Sequence, residues 1–521
     1  MRRFVRALTV VLLLAAGAAG VAWWSRPRPQ KPAWIALKVS AETTLITAPL
    51  RPDGTVDYVK YINDRYGAGV TPENNALVAL VPAIGKMDDA WPARSSRAVE
   101  AAGGRLQDGG FARWDASDLG PDREQVQRQF WELPYRPWKP ADAPRIDAWL
   151  AQNAGAMQVM VEATRRPRFF MPLVSENGAL SMSNGGAIAV LKSPFHAVWV
   201  SLQLRAMRKI GTGNLADAWE DLAACHRMSA LTYQSWDLVT YLIGMDYEER
   251  VLRSDVAMLQ AAGHDRKLLE RILADLQRQP MAPGPEEILY RKEVFEYPDA
   301  VQEMSAKVKL LWEREVPPGR RATAAKLMET LNGVVPDWDR IAIFGNRFLA
   351  DYYRTPPMNS GAELSQWSTA HEKRMHDAIA ASHKDGGSDE PPVGGVAGKF
   401  FLPRIGETQE TYSDRLGRRL LSIALPQFSL TAHLSIGKRL AMTRLACALQ
   451  LYRLDAGGYP DTPGPAAEKY LQALPTDFWG RPLKYSPSTT GFKLRSVGPS
   501  YDGPDENATY SDSMTVEVKD P

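Results

Sequence analysis

Two histidines and a carboxylate on one helical stretch are the usual start of a metal site, and His371, Glu372 and His376 come nearest to it in this chain. A zincin helix needs its histidines four apart so that both face one metal. Here they are five apart, with Met375 in the required place, so the segment reads as a solvated polar helix face. Gly211 and Gly213, followed by Leu215 and Ala216, imitate part of a dinucleotide-binding loop, but the run follows a helical pattern and that loop must follow a strand. No Walker loop or G-x-S-x-G elbow occurs. His196, His226, His264, His383 and His433 are scattered singly and read as packed or surface residues, not general bases. The carboxylates adjacent in sequence, Glu248 with Glu249 and Glu286 with Glu287, diverge on a helix and are expected on solvated faces. Cys225 and Cys447 form no C-x-x-C pair, which excludes a disulfide-dense scaffold and a cysteine-rich zinc site.

The elements available to position such groups are mostly helices. At roughly 150 residues per domain, 521 residues make about three folding units. With 63 basic and 60 acidic residues, a net charge of +3 and 45% apolar residues, the composition argues against wholesale disorder and a dedicated electrostatic grip on nucleic acid. Thr43, Thr44, Leu45, Ile46 and Thr47 favour a short strand, closed by turn chemistry at Pro52, Asp53 and Gly54. Tyr58, Val59, Ile62 and Tyr66 recur at helical spacing, Thr71 and Pro72 look like the start of a second helix, and this helical hairpin ends near Gly85. Between Ala90 and Gly186, tryptophans 91, 114, 131, 138 and 149 sit among many prolines and glycines, the pattern of short helices joined by ordered loops. Most of these rings are expected in the core, with a sugar- or peptide-binding face as the functional alternative.

From Phe195 to Gln279 the pattern is strongly helical. The stretch from Arg205 to Trp219 resembles one tetratricopeptide-type hairpin, whose small-residue turn lets two helices approach. No second copy follows at a fixed period, so an irregular helical array is expected, continuing through Arg266 to Leu276, Ala300 to Arg314 and Thr323 to Leu331. The expected organisation is an anchor and Pro-rich linker over 1–32, a mixed Trp-containing region over 33–190, a helical array over 191–383, a flexible loop over 384–399, and long helices with an α+β end over 400–521.

The first residues give an address. Arg2, Arg3 and Arg6 precede an uncharged run from Ala7 to Trp24, long enough as a helix, at about 27 Å, to approach the thickness of a hydrocarbon core. Trp23 and Trp24 fit an interfacial belt, and Pro27, Pro29 and Pro32 end the span. The expectation is a single-pass signal-anchor in a bacterial inner membrane, meeting the lipid bilayer through residues 7–24, with the bulk of the chain periplasmic. A cleavable signal peptide is the competing reading, because Ala16, Gly17, Ala18, Ala19 and Gly20 offer the small residues that a peptidase prefers.

At the other end, a broad apolar face runs from Leu434 to Leu454 and Gly457 and Gly458 terminate it. Then come Tyr459-Pro460, the run from Tyr470 to Pro475, the run from Asp477 to Pro482, Leu483 to Tyr485, and Gly491 to Gly498. In that order these residues resemble the C-terminal half of type II secretion major pseudopilins. The alternation of Leu483 to Tyr485 and of Phe492 to Val497 reads independently as a hairpin. The resemblance implies a long helix packed on a small antiparallel sheet, and calcium in the last loop, where Asp502, Asp505 and Asp512 lie. Ser500 stands where that family places its first loop aspartate, and Ser513 follows Asp512 where isoleucine is expected. The segments from Thr43 to Gly85 and from Leu202 to Met228 also resemble bacterial extracytoplasmic proteins carrying this C-terminal module. The fold class expected is therefore mainly α, with an N-terminal transmembrane helix and a small C-terminal α+β pseudopilin-like module. The function expected is a scaffold or binder of an envelope protein or glycan, in preference to an enzyme; the alternative is an envelope hydrolase whose site is assembled from distant residues.

Overall fold

The structure is a computed structural model that describes residues 37–85, 93–105, 110–112, 122–175, 178–180, 187–283, 287–288, 290–315, 336–353, 370, 373–374, 377, 408–424, 431–476, 481–496 and 513–517. These residues are mainly α-helical. In chain order the helices are α1 (Tyr58–Tyr66), α2 (Ala76–Ile84), α3 (Ala93–Ala101), α4 (Arg123–Glu132), α5 (Pro144–Gln152), α6 (Ala154–Ala163), α7 (Ala187–Gly211), α8 (Leu215–Thr232), α9 (Leu238–Ala261), α10 (Arg266–Arg278), α11 (Glu293–Glu315), α12 (Trp338–Tyr353), α13 (Gln409–Ala424), α14 (Thr431–Ala456) and α15 (Gly464–Tyr470). Strands β1 (Lys484–Pro487), β2 (Gly491–Arg495) and β3 (Ser513–Glu517) form one antiparallel sheet in the order β1-β2-β3.

Local chemistry sets the helix ends. Asp237 accepts the Thr240 N–H at 2.9 Å and starts α9, and Asp265 accepts the Leu268 N–H at 3.0 Å and starts α10. Gly457, at φ +76°, ends α14 by returning its N–H to the Arg453 carbonyl. Along α10, Leu268, Leu269, Ile272, Leu273 and Leu276 make one buried stripe. Helices α7, α8 and α9 pack on one another around Trp199, Trp219 and Tyr247, and α14 lies against both α9 and α10. Strand β3 also packs against α9, so the C-terminal elements share the core of the helical array. Phe492 and Leu494 fill the inner face of the sheet, and the Tyr459 ring meets Phe492 edge-on at 5.2 Å.

Two local expectations need correction. Residues 43–47 form a turn, not a strand: the Thr44 hydroxyl and N–H both donate to the Ser40 carbonyl, at 2.7 and 2.9 Å, so threonine side chains satisfy locally what a sheet would have paired. The second helix starts at Ala76, not at Pro72, because Asn75 caps it while its side chain also exchanges hydrogen bonds with the Phe170 backbone at 2.7 and 3.1 Å. At Gly211 a further neighbour comes close: a Cβ there would lie 2.6 Å from the carbonyl carbon and 2.8 Å from the nitrogen of Trp138, so the backbone at 138 closes on the glycine. Trp138 fixes this crossing by donating its indole N–H to the Leu204 carbonyl at 3.1 Å and its backbone N–H to that of Met207.

Candidate functional site

Glu248 and Asp255 are seven residues apart on α9, two turns along one face, and that face looks onto α8. His226 of α8 enters between them. Its Nδ1 lies 2.9 Å from Glu248 Oε1 and its Nε2 lies 3.1 Å from Asp255 Oδ2. The three residues are 4%, 1% and 0% exposed, which leaves no solvent route to the ring. Gln279, just past α10, donates to the His226 carbonyl at 2.7 Å and to Glu248 Oε2 at 3.4 Å. Arg444 of α14 closes the end of α10 by donating to the Leu276 and Gln279 carbonyls, at 2.7 and 3.1 Å. One cluster thus ties α8, α9, α10 and α14 together.

The electrostatics follow from this geometry. Burial alone would push the imidazole down, but Glu248 and Asp255 on its two nitrogens overcome it and raise His226 to about 10. Burial pushes Asp255 up, and His226 partly offsets that. An imidazolium donating from both nitrogens has no lone pair for a base or for a metal, and it holds its proton too firmly to exchange it at neutral pH. Cys225 and Cys447 are buried beside the cluster, and burial pushes both thiols up, away from the reactive thiolate form. A second tie of the same kind joins α7 to α8, where Asp221 receives Arg205 at 2.7 and 2.9 Å and Lys209 at 2.7 Å.

Among the described residues, Trp131 of α4 is 55% exposed. Arg250 lies 6.0 Å over its ring, and the His196 ring is 6.2 Å away. His196 in turn leans on Tyr247, which stacks on Trp199 at 4.9 Å, so a chain of rings runs from the exposed indole into the core. Trp138 and Trp149 are buried and hydrogen-bonded through their indole N–H groups, as core rings should be.

Of the residues singled out from sequence, Glu248 is a correction: packing of α8 on α9 buries it, whereas Glu249 is half-buried and pairs with Arg253 at 2.9 Å and Arg439 at 3.3 Å. Glu287 pairs with Arg291 at 2.5 Å. His264 is exposed and His196 is half-buried. Gly211 and Gly213 join two helices, which is no setting for a dinucleotide. His371, Glu372, His376, His383, Glu286, the side chain of His433, the anchor residues 7–24, the loop 384–398 and Asp502, Asp505 and Asp512 lie outside the described residues. Among the described residues no group of three or more His, Cys, Asp and Glu side chains could hold a metal ion, and no helix is long and apolar enough to cross a membrane. The chain matches no protein-family model, and comparison with curated proteins and with solved structures gives no significant match.

Proposed function

We propose that this chain is a membrane-anchored extracytoplasmic scaffold, held at a bacterial inner membrane by residues 7–24, whose helical array binds an envelope protein or glycan and ends in a module of the pseudopilin kind. The observation that carries the reading is the closure of His226 by Glu248 and Asp255. A catalytic imidazole keeps one nitrogen for its substrate, whereas one engaged on both sides serves to join helices. Trp131 supplies the outward half of the reading, an indole supported by Arg250 and His196 and open to a partner. A photo-reactive residue at exposed position 128, one turn before Trp131 on α4, should give a discrete adduct in living cells, and Trp131→Ala should remove it. An adduct unchanged by that substitution would place the partner elsewhere and count against the reading.

The same reading assigns calcium to Asp502, Asp505 and Asp512, which precede β3 in the sequence, since carboxylate oxygens supplemented by carbonyls suit its six to eight hard ligands. If calcium binds only the folded state, it stabilises by RT ln(1 + [L]/Kd), about 2.7 kcal/mol at one hundred times Kd. The full-length protein should therefore melt higher in millimolar calcium than in chelator, and Asp502→Ala with Asp512→Ala should abolish the difference. Equal melting in both solutions would reduce the three aspartates to a solvated turn.

A further inference from the structure

The pitch of α4 puts Trp131 outside the core. Val126 is buried, and Phe130, four residues on, turns inward to meet Trp149 edge-on at 5.9 Å. The next residue lies about 100° further round the helix, so Trp131 leaves the packed stripe. The chain is pinned directly after it: Leu133 and Pro134 are buried, and the Ser254 hydroxyl of α9 donates to the Pro134 carbonyl at 2.8 Å. Behind the indole, the rings of His196, Tyr247 and Trp199 lean on one another toward the core. A ring mounted in this way loses little freedom when a ligand lies on it.

The surroundings of the ring select the ligand. Among the described residues, the other exposed large apolar side chains are Leu50, Val159, Val239, Met281, Tyr290 and Leu474. None is on α4, and Val239, the one on α9, precedes Arg250 by eleven residues, about 16 Å along the helix. Protein-binding surfaces gather several such side chains into a continuous apolar patch, whereas here one ring stands by itself. The charges that border it are closed on one another. Arg250, over the indole at 6.0 Å, gives its Nε hydrogen to Asp246 at 3.0 Å, and Arg136 stands 3.8 Å from Glu132 at the surface. A charged peptide would have to compete with these pairs. A hydroxyl both donates and accepts, so neighbouring hydroxyls meet the carboxylate and the guanidinium of one pair together. The C–H face of a pyranose is apolar and of a size to cover one indole.

We propose that Trp131 is the stacking platform of a carbohydrate site, with the Asp246–Arg250 and Glu132–Arg136 pairs as its polar rim. The proposal rests on the reading of Trp131 as the partner-facing residue, and it narrows the partner to an uncharged run of a sugar chain.

Titration of the full-length protein, in a detergent that is not itself a glycoside, with cellohexaose and with chitohexaose tests this by ligand-observed NMR. At least one of the two should bind with a Kd of about 1 mM or tighter. Trp131→Ala should weaken that binding at least about tenfold. Trp131→Tyr, which keeps a ring, should retain most of it, and Trp131→Leu, apolar but without a ring, should fail as alanine does. Melting close to that of the wild type, expected for so exposed a side chain, checks that each variant is folded. Binding of neither sugar would overturn the proposal, and so would a Trp131→Leu protein that binds as the wild type does. The adduct from position 128 separates this failure from that of the scaffold reading: a Trp131-dependent adduct to a polypeptide, with neither sugar bound, would leave the scaffold standing and remove the carbohydrate.

Discussion

Replacing His226 by alanine should cost about 3–5 kcal/mol of stability, because it leaves Glu248 and Asp255 buried with no counter-charge. The loss is larger than that from deleting one hydrogen bond, since breaking a buried pair strands the remaining charges in a medium that solvates them poorly. Replacing all three by leucine should recover most of the loss, as apolar packing does for other buried ion clusters. The pH dependence has a fixed sign. His226 is raised from 6.5 to about 10 on folding, so its contribution is complete below about pH 6.5 and fades as pH climbs toward 10. Denaturant unfolding of the wild type, the single variant and the triple variant measures each of these. A His226→Ala protein as stable as the wild type would mean that the imidazole does not join the helices.

Gly211→Ala should be the second most damaging change. Its Cβ would fall within 3 Å of three backbone atoms of Trp138, and backbone cannot rotate away as a side chain can. Since Trp138 is itself held to the Leu204 and Met207 carbonyls, either that crossing or the last turn of α7 must shift, at about 1–3 kcal/mol. Gly155→Ala is the control. A Cβ at Gly155 meets nothing within 4 Å, and at this exposed position of α6 the change should be neutral or stabilising by up to about 1 kcal/mol. Equal effects at the two positions would deny the close approach at 211.

The helices from 195 to 279 and from 434 to 454 were legible because long amphipathic patterns with caps report directly on local structure, and the β1–β2 hairpin was legible through its alternation. The His226 cluster was not. Glu248 was weighed against its neighbour Glu249, from which it does diverge, while its real partner on the same face is Asp255, seven residues on. That spacing was a usable signal, but only once α8 and α9 were known to face each other. Gly211 was recognised as a close-approach residue, yet sequence could not say that the approaching chain comes from position 138. Threonines 43 and 44 misled for a simpler reason: β-branched residues favour strands on average, but their hydroxyls also close turns.

The most direct test of the scaffold account is the placement of the chain in a bacterial host. Membranes carrying the full-length protein should retain it through an alkaline carbonate wash, and protease added to spheroplasts should digest residues beyond the Pro-rich linker. A mature form released from the membrane and starting near residue 20, or full protection of the chain in intact spheroplasts, would contradict it.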